Sequence, residues 1–114
     1  MRLGFWYRVS EKTSMNNGID ADLAALEGRN FIIGREGHIY VSDPAASKKH
    51  AEMTVTGGKI RIRDLGSTNG IYILTDTHPV PLGDEYVEPQ QVIVIGAQKF
   101  KVQGLLDIVR TFTG

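Results

Sequence analysis

The sequence predicts an all-β domain, a sandwich or barrel of many short strands. Two observations predict it. Apolar residues recur with a period of two along much of the chain, and Gly- and Asn-containing turn signals separate the runs at short intervals. A third is the lack of any internal repeat or low-complexity tract, which excludes solenoids and arrays.

The elements follow in chain order. Leu3, Phe5, Tyr7 and Val9 alternate with Gly4, Trp6, Arg8 and Ser10 as a half-buried strand. Trp6 and Tyr7 there read as core and edge rather than as a ligand cage. Residues 19–28 depart from the pattern. Asp20 is placed to cap a short helix and Gly28 to end it, with Ile19, Leu23 and Leu26 on one face. This reads as an insertion packed on the sandwich, its acids between Asp20 and Glu27 in solvent. Phe31-Ile32-Ile33 is an unbroken apolar run, read as a strand buried on both faces. Ala51, Met53 and Val55, then Ile60 and Ile62, alternate with polar residues, and Gly57-Gly58 joins them as a tight hairpin needing positive φ. Asn69-Gly70 precedes a strand at Ile71-Tyr72-Ile73-Leu74. Val92-Ile93-Val94-Ile95 is a second run read as doubly buried. Phe100 and Val102 alternate with Lys99, Lys101 and Gln103. Leu105 to Phe112 fits either a last strand or a helical turn.

The totals limit the function. With 114 residues and 41% hydrophobic content the chain is read as one domain, 1–114, with one core. Lys plus Arg number 13 and Asp plus Glu number 13, so the net charge is zero. That balance argues against nucleic acid and acidic membrane as partners. Without cysteine there is no disulfide, thiolate metal site or cysteine nucleophile. Arg8 interrupts the N-terminal apolar run, which argues against a signal peptide. No stretch approaches the roughly 18 apolar residues of a membrane span. The expectation is a cytoplasmic, monomeric domain.

Three loops carry polar chemistry on apolar strands, the usual mounting of a binding site. They are Gly34-Arg35, Ser47-Lys48-Lys49-His50 and Gly66-Ser67-Thr68-Asn69-Gly70. Arg35 supplies a planar fork of donors for an oxyanion. Ser47 and Thr68 supply hydroxyls, and Lys48 or Lys49 a point charge. Asn69 can donate and accept at once, as a grip on a peptide amide requires. A phosphate has nearly two charges and three strong acceptor oxygens. The donor set therefore fits a phosphate on a peptide.

Taken with Asp64-Leu65 before the third loop, Asp43-Pro44 and Ala51 around the second, and Ile93-Val94-Ile95-Gly96 followed by Phe100, these motifs resemble the forkhead-associated (FHA) signature over about residues 31–102. The resemblance implies a sandwich of two antiparallel sheets of the FHA/SMAD-like type, about eleven strands, with the helical insertion near 19–28. It implies a phosphothreonine-binding module in Ser/Thr kinase signalling, with no catalysis and no cofactor. Carried over, Arg35 and Ser47 contact the phosphate, Lys48 lies over it, Thr68 lines the pocket, and Asn69 holds the peptide main chain. Gly34 lets the backbone turn, His50 braces the loops from beneath, and Gly70 is structural.

The chain departs from the family pattern in four places. His38 stands where an Asp is common. Thr75-Asp76 replaces an Asn-Gly pair. Pro89-Gln90-Gln91 replaces a Gly-Asp, with Gly83-Asp84 earlier. The segment Asn16 to Gly28 exceeds a simple turn. Two other readings stand beside this one. A scaffold, for example of a secretion assembly, would bind partners without phosphate. A hydrolase would use Ser47, His50 and Asp64, although the Gly-x-Ser-x-Gly elbow is missing. Lys49 reads as a solvated charge, and His38 and His78 as isolated rather than metal-binding.

Overall fold

The computed structural model describes residues 23–112. The predicted strand Leu3–Val9 and the cap Asp20 lie outside them. The described residues form nine strands and a C-terminal helix, against the eleven strands expected. The strands are β1 (Asn30–Gly34), β2 (Ile39–Tyr40), β3 (Ala51–Thr56), β4 (Lys59–Asp64), β5 (Ile71–Leu74), β6 (Pro79–Leu82), β7 (Asp84–Val87), β8 (Val92–Ile95) and β9 (Gln98–Lys101), and the helix is α1 (Val102–Arg110).

Two sheets result, one ordered β2-β1-β3-β4-β7 and the other β9-β8-β5-β6. All pairs are antiparallel except β1 with β2, which run parallel with Ile33 opposite Ile39. The expected all-antiparallel pairing therefore fails at that edge. The period-two residues Phe31, Ile33, Met53, Val55, Ile60 and Ile62 are buried on one sheet, and Ile71, Leu82, Ile93 and Ile95 on the other. They form one core with the helix residues Val102, Leu105, Leu106 and Val109.

The two unbroken apolar runs are not doubly buried. Ile32, Val92 and Val94 are only half-buried, because each lies on the outward face of its sheet. The C-terminal run resolves as helix. It starts at Val102, a residue the alternation assigns to a strand, because positions 102, 105, 106 and 109 share one helical stripe.

Gly57 and Gly58 take φ of 60° and 72°, as the hairpin requires. Their amides donate to Glu27 at 2.8 and 3.3 Å, which ties the helical turn at 23–25 to the hairpin. Leu23 and Leu26 are buried as expected, and Gly28 ends the turn at φ 77°. The outer face of the five-stranded sheet is covered by cross-strand pairs. Arg61 makes two bonds to Asp84 at 2.6 and 2.5 Å, and Arg63 meets Glu52 at 2.8 Å. Among the described residues β6 is the border strand of the other sheet, and it carries Pro79 and Pro81.

Candidate functional site

The three polar loops meet at one end of the sandwich. β1 ends at Gly34, and the chain then runs beside the segment that precedes β3. The amides of Arg35 and Glu36 donate to the Ser47 and Lys48 carbonyls at 3.2 and 2.9 Å. Gly34 permits this approach. It does not take positive φ, so the expected role in a turn is replaced by one in packing. A Cβ there would collide with the Lys48 carbonyl and come within 2.8 Å of the Ser47 oxygen.

Segment 45–47 is the hub to which the other loops are fastened. The Ala46 carbonyl accepts the Arg35 Nε–H at 2.7 Å. The Ala45 carbonyl accepts from Asn69 Nδ2 at 2.7 Å. Ser47 Oγ accepts the Thr68 amide at 3.2 Å. The guanidinium is thus anchored through Nε. Among the described residues, no carboxylate forms an ion pair with Arg35. Ser47 Oγ still has its own proton to donate. Lys48 is exposed, with Nζ 3.9 Å from Glu36 Oε2, a pairing that solvent screens almost fully.

His50 lies beneath, fully buried. Its Nδ1 accepts the Ser47 amide at 3.0 Å and its Nε2 meets the Gly70 carbonyl at 2.8 Å. A ring nitrogen that accepts a backbone N–H carries no proton, so the proton sits on Nε2 and donates to Gly70. One imidazole therefore joins the second loop to the third. Within the third loop, Asp64 accepts the Ser67 amide at 2.9 Å and Ser67 Oγ accepts the Gly70 amide at 2.9 Å. Gly70 itself sits at φ 78°.

These bonds also remove the hydrolase arrangement. Both His50 nitrogens are occupied by backbone groups, and Asp64 serves Ser67, so Ser47, His50 and Asp64 do not line up as a relay. Among the described residues no three His, Asp or Glu side chains gather as a metal site.

Compared with protein families, residues 28–96, more than half of the chain, match the FHA domain. This chain belongs to the FHA domain family. Solved FHA domains share its architecture. The FhaA FHA domain, solved in complex with the intracellular domain of Rv3910, is 29% identical with a TM-score of 0.53 over 64% of this chain and 77% of its own. A structure from work on phosphothreonine-dependent FHA interactions is 28% identical, with a TM-score of 0.56 over 64% and 73%. The FHA domain of CT664 from Chlamydia trachomatis is 25% identical, with a TM-score of 0.56 over the same shares. No curated protein matches the chain.

Within this FHA domain Asp43, which the sequence shows only as part of the signature, has a bracing role. Asp43 Oδ1 accepts the Ala45 amide at 2.8 Å and Oδ2 accepts the Ala97 amide at 2.9 Å. Asp43 thereby fixes the hub against the β8–β9 turn. Gly96 in that turn packs so closely that a Cβ would stand 3.1 Å from the Ala46 amide. The only signal in sequence is Asp43-Pro44 standing ahead of Ser47.

Proposed function

We propose that this FHA domain, one domain across residues 1–114, binds a phosphorylated threonine in a partner protein and so reads the mark of a Ser/Thr kinase without chemistry of its own. The observation that carries this is the Arg35 guanidinium, held by Nε on the Ala46 carbonyl, one residue before the Ser47 whose Oγ accepts the Thr68 amide, with no carboxylate partner among the described residues. Such a fork is oriented before the anion arrives, which reduces the entropy lost on binding. Membership of the family and the phosphothreonine dependence named for a structure 28% identical support the reading.

In this proposal Arg35 and Ser47 donate to the phosphate, and Lys48 leaves its weak pairing with Glu36 to lie over it. Thr68 lines the pocket, and burial of the extra methyl against it favours phosphothreonine over phosphoserine. Asn69, with Nδ2 on Ala45, keeps Oδ1 to accept a peptide amide. Gly34, His50 and Gly70 hold the loops. No helix among the described residues is long and apolar enough to cross a membrane, and we place the domain in the cytoplasm as a monomer.

The test is calorimetric titration with a phosphothreonine peptide, its unphosphorylated twin and its phosphoserine version. Binding is expected only with phosphate, tightest with phosphothreonine, and weaker below about pH 6 as the phosphate gains a proton. Arg35→Ala is expected to lose about 1.5–3 kcal/mol, roughly 10- to 150-fold. Equal binding of the phosphorylated and plain peptides would refute the proposal in favour of a phosphate-independent scaffold.

A further inference from the structure

Asn69 and Gly70 form the one Asn-Gly step among the described residues. Asn69 is exposed, and Gly70 turns at φ 78°. Glycine carries no Cβ, so its nitrogen stays open to the amide carbon of the side chain before it. At such a step asparagine most readily closes a ring on the main chain and loses ammonia.

In the folded loop both reacting groups are held. The Gly70 N–H donates to Ser67 Oγ at 2.9 Å, and the Gly70 carbonyl accepts from His50 Nε2 at 2.8 Å. Asn69 Nδ2 donates to the Ala45 carbonyl at 2.7 Å. Ser67 is itself fixed by its amide on Asp64 at 2.9 Å. Ring closure requires the Gly70 nitrogen to give up its proton and turn its lone pair on Asn69 Cγ. The Ser67 bond retains that proton, and the Ala45 bond restrains the carbon under attack.

We propose that Asn69 is a site of spontaneous deamidation, that Ser67 Oγ limits its rate by holding the Gly70 N–H, and that the product ends phosphopeptide binding. The inference rests on the phosphothreonine reading above and adds a regulation of the same site. The step balances without oxidant or cofactor. The Gly70 nitrogen passes its proton to solvent and bonds to Asn69 Cγ. The Cγ–Nδ2 bond breaks, and the amide nitrogen leaves as ammonia. Water then opens the cyclic imide, giving aspartate by attack at the side-chain carbonyl and isoaspartate by attack at the main-chain carbonyl. Either product replaces a neutral amide with a carboxylate. It has no N–H for the Ala45 carbonyl, and its charge opposes the incoming phosphate. A phosphopeptide that grips Asn69 binds only the intact form, so it slows the loss of the group it needs.

The experiment incubates the whole protein at mildly alkaline pH and follows each asparagine by mass-spectrometric peptide mapping. Asn17, in the chain's other Asn-Gly pair, is the internal comparator. In urea the two should react at similar rates. In the native protein Asn69 should react about tenfold or more slowly than in urea, as two retained hydrogen bonds require. Ser67→Ala should speed Asn69 about fivefold, the effect of one lost hydrogen bond, with Asn17 unchanged. Ser67→Thr, which keeps the hydroxyl, should restore the slow rate. Excess phosphothreonine peptide should slow Asn69 further, and its unphosphorylated twin should not. Protein deamidated at Asn69, and the Asn69→Asp variant, should bind the phosphothreonine peptide about tenfold or more weakly. Equal native rates in wild type and Ser67→Ala, or full affinity after deamidation, overturns the inference while the phosphothreonine reading stands. Failure of freshly prepared protein to prefer the phosphorylated peptide overturns both.

Discussion

Asp43 receives the Ala97 amide on one carboxylate oxygen at 2.9 Å and the Ala45 amide on the other at 2.8 Å. Next along the chain, the Ala45 and Ala46 carbonyls hold Asn69 and Arg35. Asp43 thus governs two proposed ligand groups without touching the peptide. Asp43→Ala should weaken phosphopeptide binding about fivefold and cost about 1–3 kcal/mol of stability, the worth of two lost hydrogen bonds. Asp43→Asn, which can still accept one amide, should recover part of the affinity. Paired titration and urea unfolding check both.

His50→Ala should destabilise the domain by about 2–4 kcal/mol, because it opens a cavity and strands the Ser47 amide and the Gly70 carbonyl. In the wild type, nitrogen-15 NMR should find the His50 proton on Nε2 at neutral pH. A proton on Nδ1 would contradict the bond from Ser47.

Two glycines should respond oppositely to alanine. Gly34→Ala drives a methyl into the Ser47 and Lys48 carbonyls and should cost about 1–3 kcal/mol or more, with loss of phosphopeptide binding. At Gly104, inside α1, an added Cβ meets nothing within 4 Å. Gly104→Ala should therefore stabilise the domain by about 0.5–1 kcal/mol and leave binding unchanged. Thermal unfolding of both variants is the check.

The Arg61 hydrogen bond holds the Asp84 carboxyl below its ordinary value, with the nearby Arg61 and Arg63 charges adding to the effect. A carboxyl whose folded pKa is lowered stabilises the fold above its unfolded value of 3.8, and that contribution is lost as pH falls through the lowered one. Asp84→Asn should therefore lower stability slightly near pH 7 and flatten its decline below about pH 4. The effect is small because the pair is exposed to solvent. Denaturant midpoints across acid pH measure it.

The proposed binding loops are legible in sequence because their chemistry lies in short contiguous motifs. Arg35, Ser47, Thr68 and Asn69 do come together, and His50 braces them as expected. Less was legible where one side chain answers two demands. β6 and β7 bury only Leu82 and Val87 and so show no alternation. Ile32, Val92 and Val94 are apolar although they face outward, which made one-sided strands look doubly buried. Val102 fits the strand phase of Phe100 as well as the stripe of α1, and Gly104 obscured the helix. Asp43 stands in the signature, but its bracing role is not legible there, because its partners are backbone amides, which leave no trace in residue type.

The prolines of β6 bear on how this domain behaves when concentrated. An incoming strand seeking to extend the four-stranded sheet meets no amide hydrogen at Pro79 or Pro81. Growth into ribbons from that side is therefore blocked by covalent structure rather than by charge, and added salt does not lift the block.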